Sequence, residues 1–599
     1  MILKKKMFNI EFLSHIFAKV QVITPHLMSL WRQIFREYKI LIYIVLICII
    51  ISNAATISII VFIQQLVDCF ILPIVNSENI DYDLKNTLIV LSAFLSLGTL
   101  TMYITTRLLI HISQGVILSL RNKLFNHILR LPMNYFSNNS KGKIMNYFTS
   151  DIETVQTLIG NCFPTLISSS ILLILTFIAM VRIGILFTVI TLLCMFLSVL
   201  ISRYYSYTSR EFYLQRQENL SILNGYVEEM ISGLDEVKIF NYEASILDKF
   251  TKINKNLCYT TNKFLLNSGI LSPINNFISN FAYVCIVTVG AYFILKEPTY
   301  GITLGGIVTY VTLSKNFTKN LSSITQQISF ILSADVSIKR IIDVLDIPQE
   351  NENDLVTLNV PIKSLEFKNV FFNYNESTPI LQNMNWHVTQ GQKIAIMGNT
   401  GVGKTTIINL LLRFYDIKIG EILIDGYHIN LINRKSLRQN FGVVFQKPFF
   451  FEGTIMDNLR YGHSDATKEE CIIAAKEIGA EHFISMLPKN YQTVISEDGN
   501  TLSQGELQLL SLTRTMVANP SFLILDEPTS TLDYLYEDKV KVGINKLMEG
   551  RTTIIISHRL SVIEDADSIF ILKDGTIVEQ GTHQQLLDLK GLYYYMHNQ

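Results

Sequence analysis

The chain has 599 residues, enough for more than one domain, and its formal net charge of +0 argues against a nucleic-acid partner. Hydrophobic residues make up 49% of it and charged residues only 17%, a composition typical of a protein with a membrane-embedded part. The 7 cysteines are scattered and form no C-x-x-C pair, so we predict neither a disulfide framework nor a zinc site.

The N-terminal segment, residues 1–36, contains a candidate interfacial helix. Its apolar residues recur at helical spacing, at Leu27, Leu30, Trp31, Ile34 and Phe35. A helix of this pattern suits the cytoplasmic surface of a membrane. Packing against other protein is the alternative, but the position just before an apolar segment favours the interface.

Residues 37–334 contain long apolar segments that predict a transmembrane domain. A helix needs about 20 residues to cross the roughly 30 Å hydrocarbon core of a bilayer. The six predicted spans are Ile40–Ile63, Leu88–Thr106, Val155–Val181, Ile183–Ser202, Phe264–Leu295 and a last segment from about Thr299 to Ser333.

The distribution of positive charge predicts the orientation of these spans. Lysines and arginines are concentrated in the 107–154 and 203–263 connections, whereas the 67–87 connection is acidic. Because cytoplasmic connections carry the excess of positive charge, we predict a multi-pass protein of the plasma (cell inner) membrane with both termini cytoplasmic. The long connections have helical patterns, so we expect the spanning helices to continue into the cytoplasm.

Two lysines, Lys315 and Lys319, interrupt the sixth segment and share one helix face. Counted from Thr299, Lys315 lies about 24 Å along a helix, near the inner interface, where a lysine side chain can extend to the headgroups. The alternative is that both line a cavity, where they would favour anionic or zwitterionic substrates.

A polar linker is predicted over 335–364, and a second domain over 365–599. In this domain short apolar runs alternate with helical patterns, which predicts an α/β fold with a largely parallel central sheet. The predicted strands are Leu365–Val370, Ile394–Met397, Ile422–Ile424, Val443–Phe445, Phe522–Leu525, Thr553–Ile556 and Ser568–Leu572.

The motif G-x-x-x-x-G-K-T occupies Gly398–Thr405, between a predicted strand and a predicted helix. In that context glycines let backbone N–H groups surround a polyphosphate, Lys404 reaches the β- and γ-phosphates, and Thr405 offers its hydroxyl to Mg²⁺. The helix N-terminus adds attraction for anions. The sequence therefore predicts a binding site for a polyphosphate with Mg²⁺.

Two carboxylates, Asp526 and Glu527, follow the predicted strand Phe522–Leu525. At the carboxyl end of a strand in a parallel sheet they would face the phosphate loop. Asp526 suits a place near Mg²⁺, and Glu527 suits a general base that polarises the attacking water.

With these motifs in order, the chain resembles an exporter-type half-transporter of the ABC superfamily. The resemblance implies a membrane α-helical bundle of six transmembrane helices followed by an α/β P-loop nucleotide-binding domain. Leu502–Glu506 resembles the family's signature segment, and Ser530–Asp533 its D-loop.

The resemblance also implies roles for individual residues. The catalytic set is Glu527, His558 and Gln446. The nucleotide-binding set is Tyr374, Gly398, Asn399, Thr400, Gly401, Val402, Gly403, Lys404, Thr405, Thr406, Ser503, Gly505 and Glu506, with Tyr374 stacking on adenine. The Mg²⁺ set is Thr405, Gln446 and Asp526. Coupling helices are expected near 131–148 and 232–246, docking near Gln446 and Glu497.

The signature segment implies a dimer, because in the family it contacts ATP held by the partner. Here Gln504 stands where glycine is usual and Glu506 where glutamine is usual. Similar drift occurs in one subunit of bacterial heterodimeric exporters, so a second, different half-transporter subunit is slightly favoured over a homodimer.

The predicted function is ATP-driven export of amphipathic compounds, such as drugs, lipids or peptides, by alternating access. The same scaffold is compatible with an importer of chelate-type compounds or, third, with an ATP-gated channel. Membrane lipid is a further expected partner.

Overall fold

The protein is described by a computed structural model, which covers residues 25–75, 84–296, 302–350, 355–358, 361–374, 379–495, 502–529, 532, 534–559 and 562–597. Internal contacts divide the chain into two compact units. We call Met1–Leu129 with Gly142–Ile347 the helical unit, and Arg130–Lys141 with Pro348–Gln599 the α/β unit.

The helical unit is built from long α-helices joined by short ones. They are α1 (Pro25–Leu66), α2 (Leu72–Val75), α3 (Leu84–Ile128), α5 (Lys141–Asn146), α6 (Ile152–Thr157), α7 (Phe163–Ile183), α8 (Ile185–Ser232), α9 (Leu234–Ile239), α10 (Glu243–Gly269), α11 (Leu271–Lys296) and α12 (Leu304–Leu345). Single π-helical turns occupy Val67–Ile71, Tyr147–Asp151 and Leu158–Cys162. Helix α8 has 48 residues, about 72 Å by its rise per residue, and is much longer than a bilayer core requires.

Among the described residues, 5 segments are long and apolar enough to cross a membrane. They are Ile34–Ile71, Lys85–Ile128, Lys141–Ile183, Ile185–Tyr205 and Glu243–Leu295. The sixth predicted span lies in α12, a helix of 42 residues that carries Lys315 and Lys319 within its apolar part. The N-terminal helix is continuous with the first span except at Tyr38, whose φ of −118° and ψ of 23° break the helical geometry.

Helix α12 begins later than the sequence suggested. The predicted start, Thr299, lies outside the described residues, and the helix itself starts at Leu304. Thr303 caps it by accepting a hydrogen bond from Gly306 N. Asp68 supports the same end, since its carboxylate accepts from Thr303 Oγ1 at 2.5 Å and from Gly305 N at 2.8 Å.

The predicted linker, 335–364, begins too early. Helix α12 continues to Leu345 because Ile338, Ile341 and Val344 recur at helical spacing and are all buried. Polar residues between them gave the segment an irregular character in the sequence, although they only occupy the exposed face of the helix.

The α/β unit contains two main sheets. Its strands are β1 (Ser364–Phe372), β2 (Leu381–Thr389), β3 (Lys393–Gly398), β4 (Ile419–Ile424), β5 (Tyr427–His428), β6 (Phe441–Val444), β7 (Gly453–Thr454), β8 (Val494–Ile495), β9 (Phe522–Asp526), β10 (Thr552–Ile556), β11 (Ser568–Lys573) and β12 (Thr576–Gly581). Its helices are α4 (Met133–Asn138), α13 (Lys404–Leu411), α14 (Arg434–Asn440), α15 (Ile455–Arg460), α16 (Lys468–Ile478), α17 (Glu481–Met486), α18 (Gln504–Ala518), α19 (Tyr534–Met548), α20 (His583–Leu589) and α21 (Leu592–His597).

The central sheet has the order β12-β11-β3-β10-β9-β6 and is parallel except for β12. The predicted strands Leu365–Val370 and Ile422–Ile424 were wrongly assigned to it. They belong to β1 and β4 of a separate antiparallel sheet ordered β2-β1-β4-β5. Alternation along a strand does not reveal its partner, because both kinds of sheet bury apolar side chains.

Strand β9 shows how the core positions the site. Its residues are buried alternately on opposite faces: Leu523 and Leu525 in one apolar cluster, Phe522 and Ile524 in the other. A strand buried on both faces is held rigidly between its neighbours β6 and β10. The residues that follow the carboxyl ends of β3, β9 and β10 therefore meet at one edge of the sheet.

Candidate active site

The phosphate loop connects β3 to α13. Gly401 and Gly403 have φ values of +88° and +106°, in the left-handed region that other residues rarely adopt. A Cβ on Gly403 would lie 2.7 Å from Leu381 Cδ2, so only glycine fits there. The loop therefore turns tightly into the N-terminus of α13, as the sequence predicted.

Lys404 is buried at the centre of this loop. Its Nζ donates to the carbonyl oxygens of Gly398 at 2.5 Å and Asn399 at 3.4 Å. Burial lowers the pKa of Lys404 below its ordinary value, and the nearby carboxylates of Glu527 and Asp526 partly oppose that effect. A buried cation of this kind is available for an anion that enters the loop.

The acidic pair lies directly across from Lys404. Asp526 ends β9, and its pKa is raised by burial and then by the neighbouring charge of Glu527. Glu527 has a φ of +46°, a strained value for a side chain with a Cβ, and its N–H donates to Ile556 O at 2.7 Å. That turn directs the carboxylate back toward Lys404, whose Nζ lies 3.8 Å from Glu527 Oε1.

Gln446 and His558 complete the cluster around Glu527. Gln446 Nε2 donates to Glu527 Oε2 at 3.2 Å, and His558 Nε2 lies 3.0 Å from Glu527 Oε1. His558 Nε2 also lies 2.6 Å from Lys404 Nζ. Glu527 thus contacts three other predicted residues from distant parts of the chain, Lys404, Gln446 and His558.

The protonation state of His558 follows from its neighbours. Its pKa is lowered first by burial and then by the positive charge of Lys404, while Glu527 acts in the opposite direction. The shift favours the neutral ring over the imidazolium, and the donor or acceptor role of Nε2 toward Lys404 Nζ and Glu527 Oε1 depends on the tautomer.

These residues fit a nucleotide with a divalent cation. The glycine loop leaves room only for backbone, the helix N-terminus attracts anions, and Lys404 is a buried donor. The pKa of Asp526 is raised first by burial and then by the charge of Glu527, and a cation bound beside the two carboxylates would offset both effects. Thr405 is exposed on the first turn of α13, where its hydroxyl is accessible.

Tyr374 lies beside the phosphate loop. Its hydroxyl donates to Thr406 Oγ1 at 3.3 Å and accepts from Asn409 Nδ2 at 2.9 Å. The ring packs edge-on against Phe372 and Tyr415 and is 40% exposed. An exposed aromatic face fixed next to α13 is suited to stacking on a base.

The signature segment begins α18 with a capping box. Ser503 Oγ accepts from Glu506 N at 3.3 Å, and Glu506 Oε2 accepts from Ser503 N at 2.8 Å. Tyr536 donates its hydroxyl to Glu506 Oε1 at 3.2 Å, and its ring covers Gly505 closely enough to exclude a Cβ. The glutamate that departs from the family pattern therefore has a structural role here.

Comparison with known proteins identifies the family of this chain. A family model described as the ABC transporter transmembrane region matches residues 42–321, and one described as ABC transporter matches residues 381–530. The chain belongs to the ABC transporter family.

Curated relatives cover most of this ABC transporter. An uncharacterized ABC transporter ATP-binding protein YfiC of Bacillus subtilis is 37% identical over 84% of this chain and 84% of its own length. A fatty acid ABC transporter ATP-binding/permease protein of Mycobacterium bovis is 34% identical over 87% and 83%. An ATP-dependent lipid A-core flippase of Syntrophus aciditrophicus is 33% identical over 83% and 82%.

These matches support ATP-driven export across a membrane by one chain that joins a permease region to an ATPase domain. They imply ATP binding, and the half-transporter architecture implies a dimer. The apolar helices and the membrane family model indicate a protein of the inner membrane.

Sequence reasoning missed two positioning residues in this ABC transporter. Gln508 is 1% exposed, and its Nε2 donates to the carbonyl of Phe445, which precedes Gln446. Arg514 donates to Phe449 O and Asn458 O, each at 2.9 Å, and burial lowers its pKa to about 10. A polar residue on the inner face of α18 was the available signal for Gln508. Nothing in the spacing indicated Arg514.

The remaining predictions concern the D-loop, Glu497 and the two expected coupling regions. Ser530 and Asp533 of the D-loop, and Glu497, lie outside the described residues. The first expected coupling region, 131–148, includes α4, which belongs to the α/β unit, where Ser137 Oγ lies 3.2 Å from Tyr415 OH. The second region, 232–246, includes α9, which has no buried residue.

Proposed function

We propose that this chain is one half of a dimeric exporter that uses ATP hydrolysis to move amphipathic compounds across the inner membrane, with both termini cytoplasmic. The observation that carries the proposal is the contact of Glu527 with Lys404, His558 and Gln446, in a chain that also carries membrane-spanning helices. The relatives named for fatty acids and for lipid A support an amphipathic substrate.

The contacts around Glu527 support the following residue roles. Mg·ATP supplies the reactive γ-phosphoryl group together with the divalent charge that offsets its oxygens. Glu527 accepts a proton from the attacking water, and Gln446 orients the carboxylate through its amide. Lys404 exchanges its carbonyl contacts for phosphate oxygens, while Asp526, Thr405 and Gln446 are the residues suited to hold Mg²⁺.

The dimer would complete each site. Ser503 and Gln504 are exposed at the N-terminus of α18, a helix of 15 residues. That end would face a nucleotide held by the partner, where its N–H groups attract the γ-phosphate. The larger side chain of Gln504 at this contact favours a second, different subunit with an intact signature, and a homodimer is the alternative.

The test is transport by purified protein in proteoliposomes. Wild type is expected to move a labelled amphiphile only with Mg·ATP. Lys404→Ala is the control, because it removes the buried cation of the phosphate loop. Absence of ATP-dependent movement in either direction would contradict the proposal. Movement into the cytoplasmic compartment would indicate an importer, and steady ion conductance a channel.

The mass of the purified complex tests the subunit composition separately. A heterodimer is expected to contain a second polypeptide of different mass in equal amount. Two copies of this chain alone, with full ATPase activity, would show that the altered signature is competent in a homodimer.

A further inference from the structure

A groove of about 570 Å³ runs between α11 and α12 in the helical unit. Its walls are apolar: α11 contributes Val287 and Leu295, and α12 contributes Leu304, Val308 and Val311. The α12 residues recur at helical spacing and so form one continuous face. The groove is therefore an elongated apolar surface bounded by two neighbouring helices.

Lys315 closes one end of this groove. Its Nζ lies 5.6 Å from the centre of the Tyr283 ring, which also lines the groove. Within the described part of the chain, no carboxylate lies within ion-pair distance of Lys315. An aromatic ring offsets only a small part of the cost of a cation in an apolar environment.

The start of α12 at Leu304 sets the length of the groove wall that ends at Lys315. From Leu304 to Lys315 the helix rises about 17 Å. Side chains on a helix lean toward its N-terminus, so Lys315 leans along the groove toward Leu304 and away from the other end of α12. Because Lys315 lines the groove, we favour the second interpretation of the sequence, a lysine that lines a cavity, over extension to the inner headgroups.

We infer that this groove binds an amphiphile with one apolar chain and one anionic headgroup, the headgroup at Lys315 and the chain along the wall to Leu304. The inference rests on the proposed export function and assigns a substrate class to it. It names the chemistry shared by a fatty carboxylate and an alkyl phosphate, since either head accepts hydrogen bonds from an ammonium group.

Charge favours this ligand over a helix from a second copy of the chain. Each predicted span, Ile40–Ile63 to the segment ending near Ser333, contains no aspartate or glutamate. A second copy therefore has no carboxylate in its spans to pair with Lys315, whereas an anionic amphiphile brings one. An apolar wall of about 17 Å, by helix rise, also matches an extended alkyl chain better than a bulky ring system.

The test uses the full-length protein, with its partner subunit if one is present, in lipid nanodiscs. The probes are laurate, lauryl phosphate, lauryl alcohol and lauryl trimethylammonium, which share a chain and differ in the headgroup. The readouts are displacement of radiolabelled laurate without nucleotide and the concentration that half-maximally stimulates ATP hydrolysis.

Three variants separate charge from position. Lys315→Gln removes the cation, Lys315→Arg keeps it, and Lys319→Gln removes the neighbouring cation on α12, which does not line the groove. We expect Lys315→Gln to weaken laurate binding ~10-fold or more, as for a lost charged hydrogen bond, and to leave lauryl alcohol binding within about twofold. Lys315→Arg and Lys319→Gln are expected to bind laurate as wild type does.

Several outcomes would overturn the inference. One is equal affinity of wild type for laurate and for lauryl alcohol, and another is unchanged laurate affinity in Lys315→Gln. A groove filled by a partner helix gives the second result, and preference for the cationic probe excludes an anionic substrate. Each leaves the proposed export function intact if another amphiphile is still transported with ATP. Tight laurate binding without any ATP-dependent transport would instead contradict the proposed function alone.

Discussion

The α/β unit and the helical unit of this transporter use side chains in different ways. In the α/β unit, Lys404, Gln446 and His558 each lie within 4 Å of Glu527 through directed contacts. In the helical unit, a single cation lies at the end of a broad apolar wall. Hydrolysis requires exact placement of charge, whereas recognition of an amphiphile requires mainly apolar area and one orienting group.

The largest expected effect concerns the directed contacts. Glu527→Gln should slow ATP hydrolysis by ~10²–10⁴-fold, because the amide cannot act as the base, while nucleotide affinity remains. Steady-state hydrolysis and equilibrium binding of a labelled nucleotide measure the two separately. Near-normal ATP hydrolysis by Glu527→Gln would show that another residue is the general base. The directed contacts of the α/β unit would then not be required for hydrolysis.

The second prediction concerns pH. The pKa of His558 is lowered in the folded protein, so its neutral form contributes stability above the ordinary histidine pKa of ~6.5, and that contribution is lost as pH falls through the folded value. We expect the wild-type melting temperature to fall more than that of His558→Gln between about pH 7.5 and about pH 5.5. Hydrolysis should decline several-fold over the same interval.

The control for this pH effect is His583, a second histidine of the α/β unit that bonds Tyr593 away from the phosphate loop. His583→Gln should keep the wild-type decline in hydrolysis. Parallel pH profiles for wild type and His558→Gln would show that His558 does not set the acid limit.

The third prediction concerns the capping box of α18. Ser503→Ala should lower the free energy of unfolding of the α/β unit by about 1 kcal/mol, since it removes the N-cap acceptor. Glu506→Gln should cost less, because an amide can still accept from Ser503 N. Denaturant unfolding followed by far-UV circular dichroism measures both. A greater loss of unfolding free energy in Glu506→Gln than in Ser503→Ala would mean that Glu506 stabilises the unit through its charge and not through the capping hydrogen bond.

The smallest expected effect concerns the contact between Tyr415 and α4, the short helix that lies in sequence between two parts of the helical unit. Tyr415 contacts both Ser137 of α4 and the ring of Tyr374. Tyr415→Phe removes the hydroxyl contact and keeps the ring, so stimulation of hydrolysis by substrate should fall about twofold while basal hydrolysis changes little. Equal stimulation in both proteins would show that this contact does not carry information from α4 to the site.

Much of the nucleotide site could be predicted from the sequence, because its motifs lie at the ends of buried strands. Residues that follow the carboxyl ends of parallel strands meet at one sheet edge, which led us to expect Lys404, Glu527 and His558 near one another, while the family resemblance supplied the roles of Gln446 and His558. The capping role of Glu506 did not follow, since it depends on Tyr536 from α19. Arg514 depends likewise on Asn458, a contact between distant residues.

The start of α12 was less predictable than the apolar spans, because it depends on a tertiary contact. The sequence suggested Thr299 as the start, whereas the helix begins at Leu304. There the carboxylate of Asp68, from a segment distant in sequence, accepts hydrogen bonds from Thr303 Oγ1 and Gly305 N. Apolar periodicity predicted the spans but could not reveal this cap.

The most direct test of ATP-driven export is transport by wild type and Glu527→Gln, reconstituted side by side with a set of anionic, neutral and cationic amphiphiles. We predict that wild type accumulates at least one of them against its gradient, while Glu527→Gln binds nucleotide but accumulates none. Equal accumulation by both proteins would show that hydrolysis at the Lys404–Glu527–His558 cluster does not drive transport.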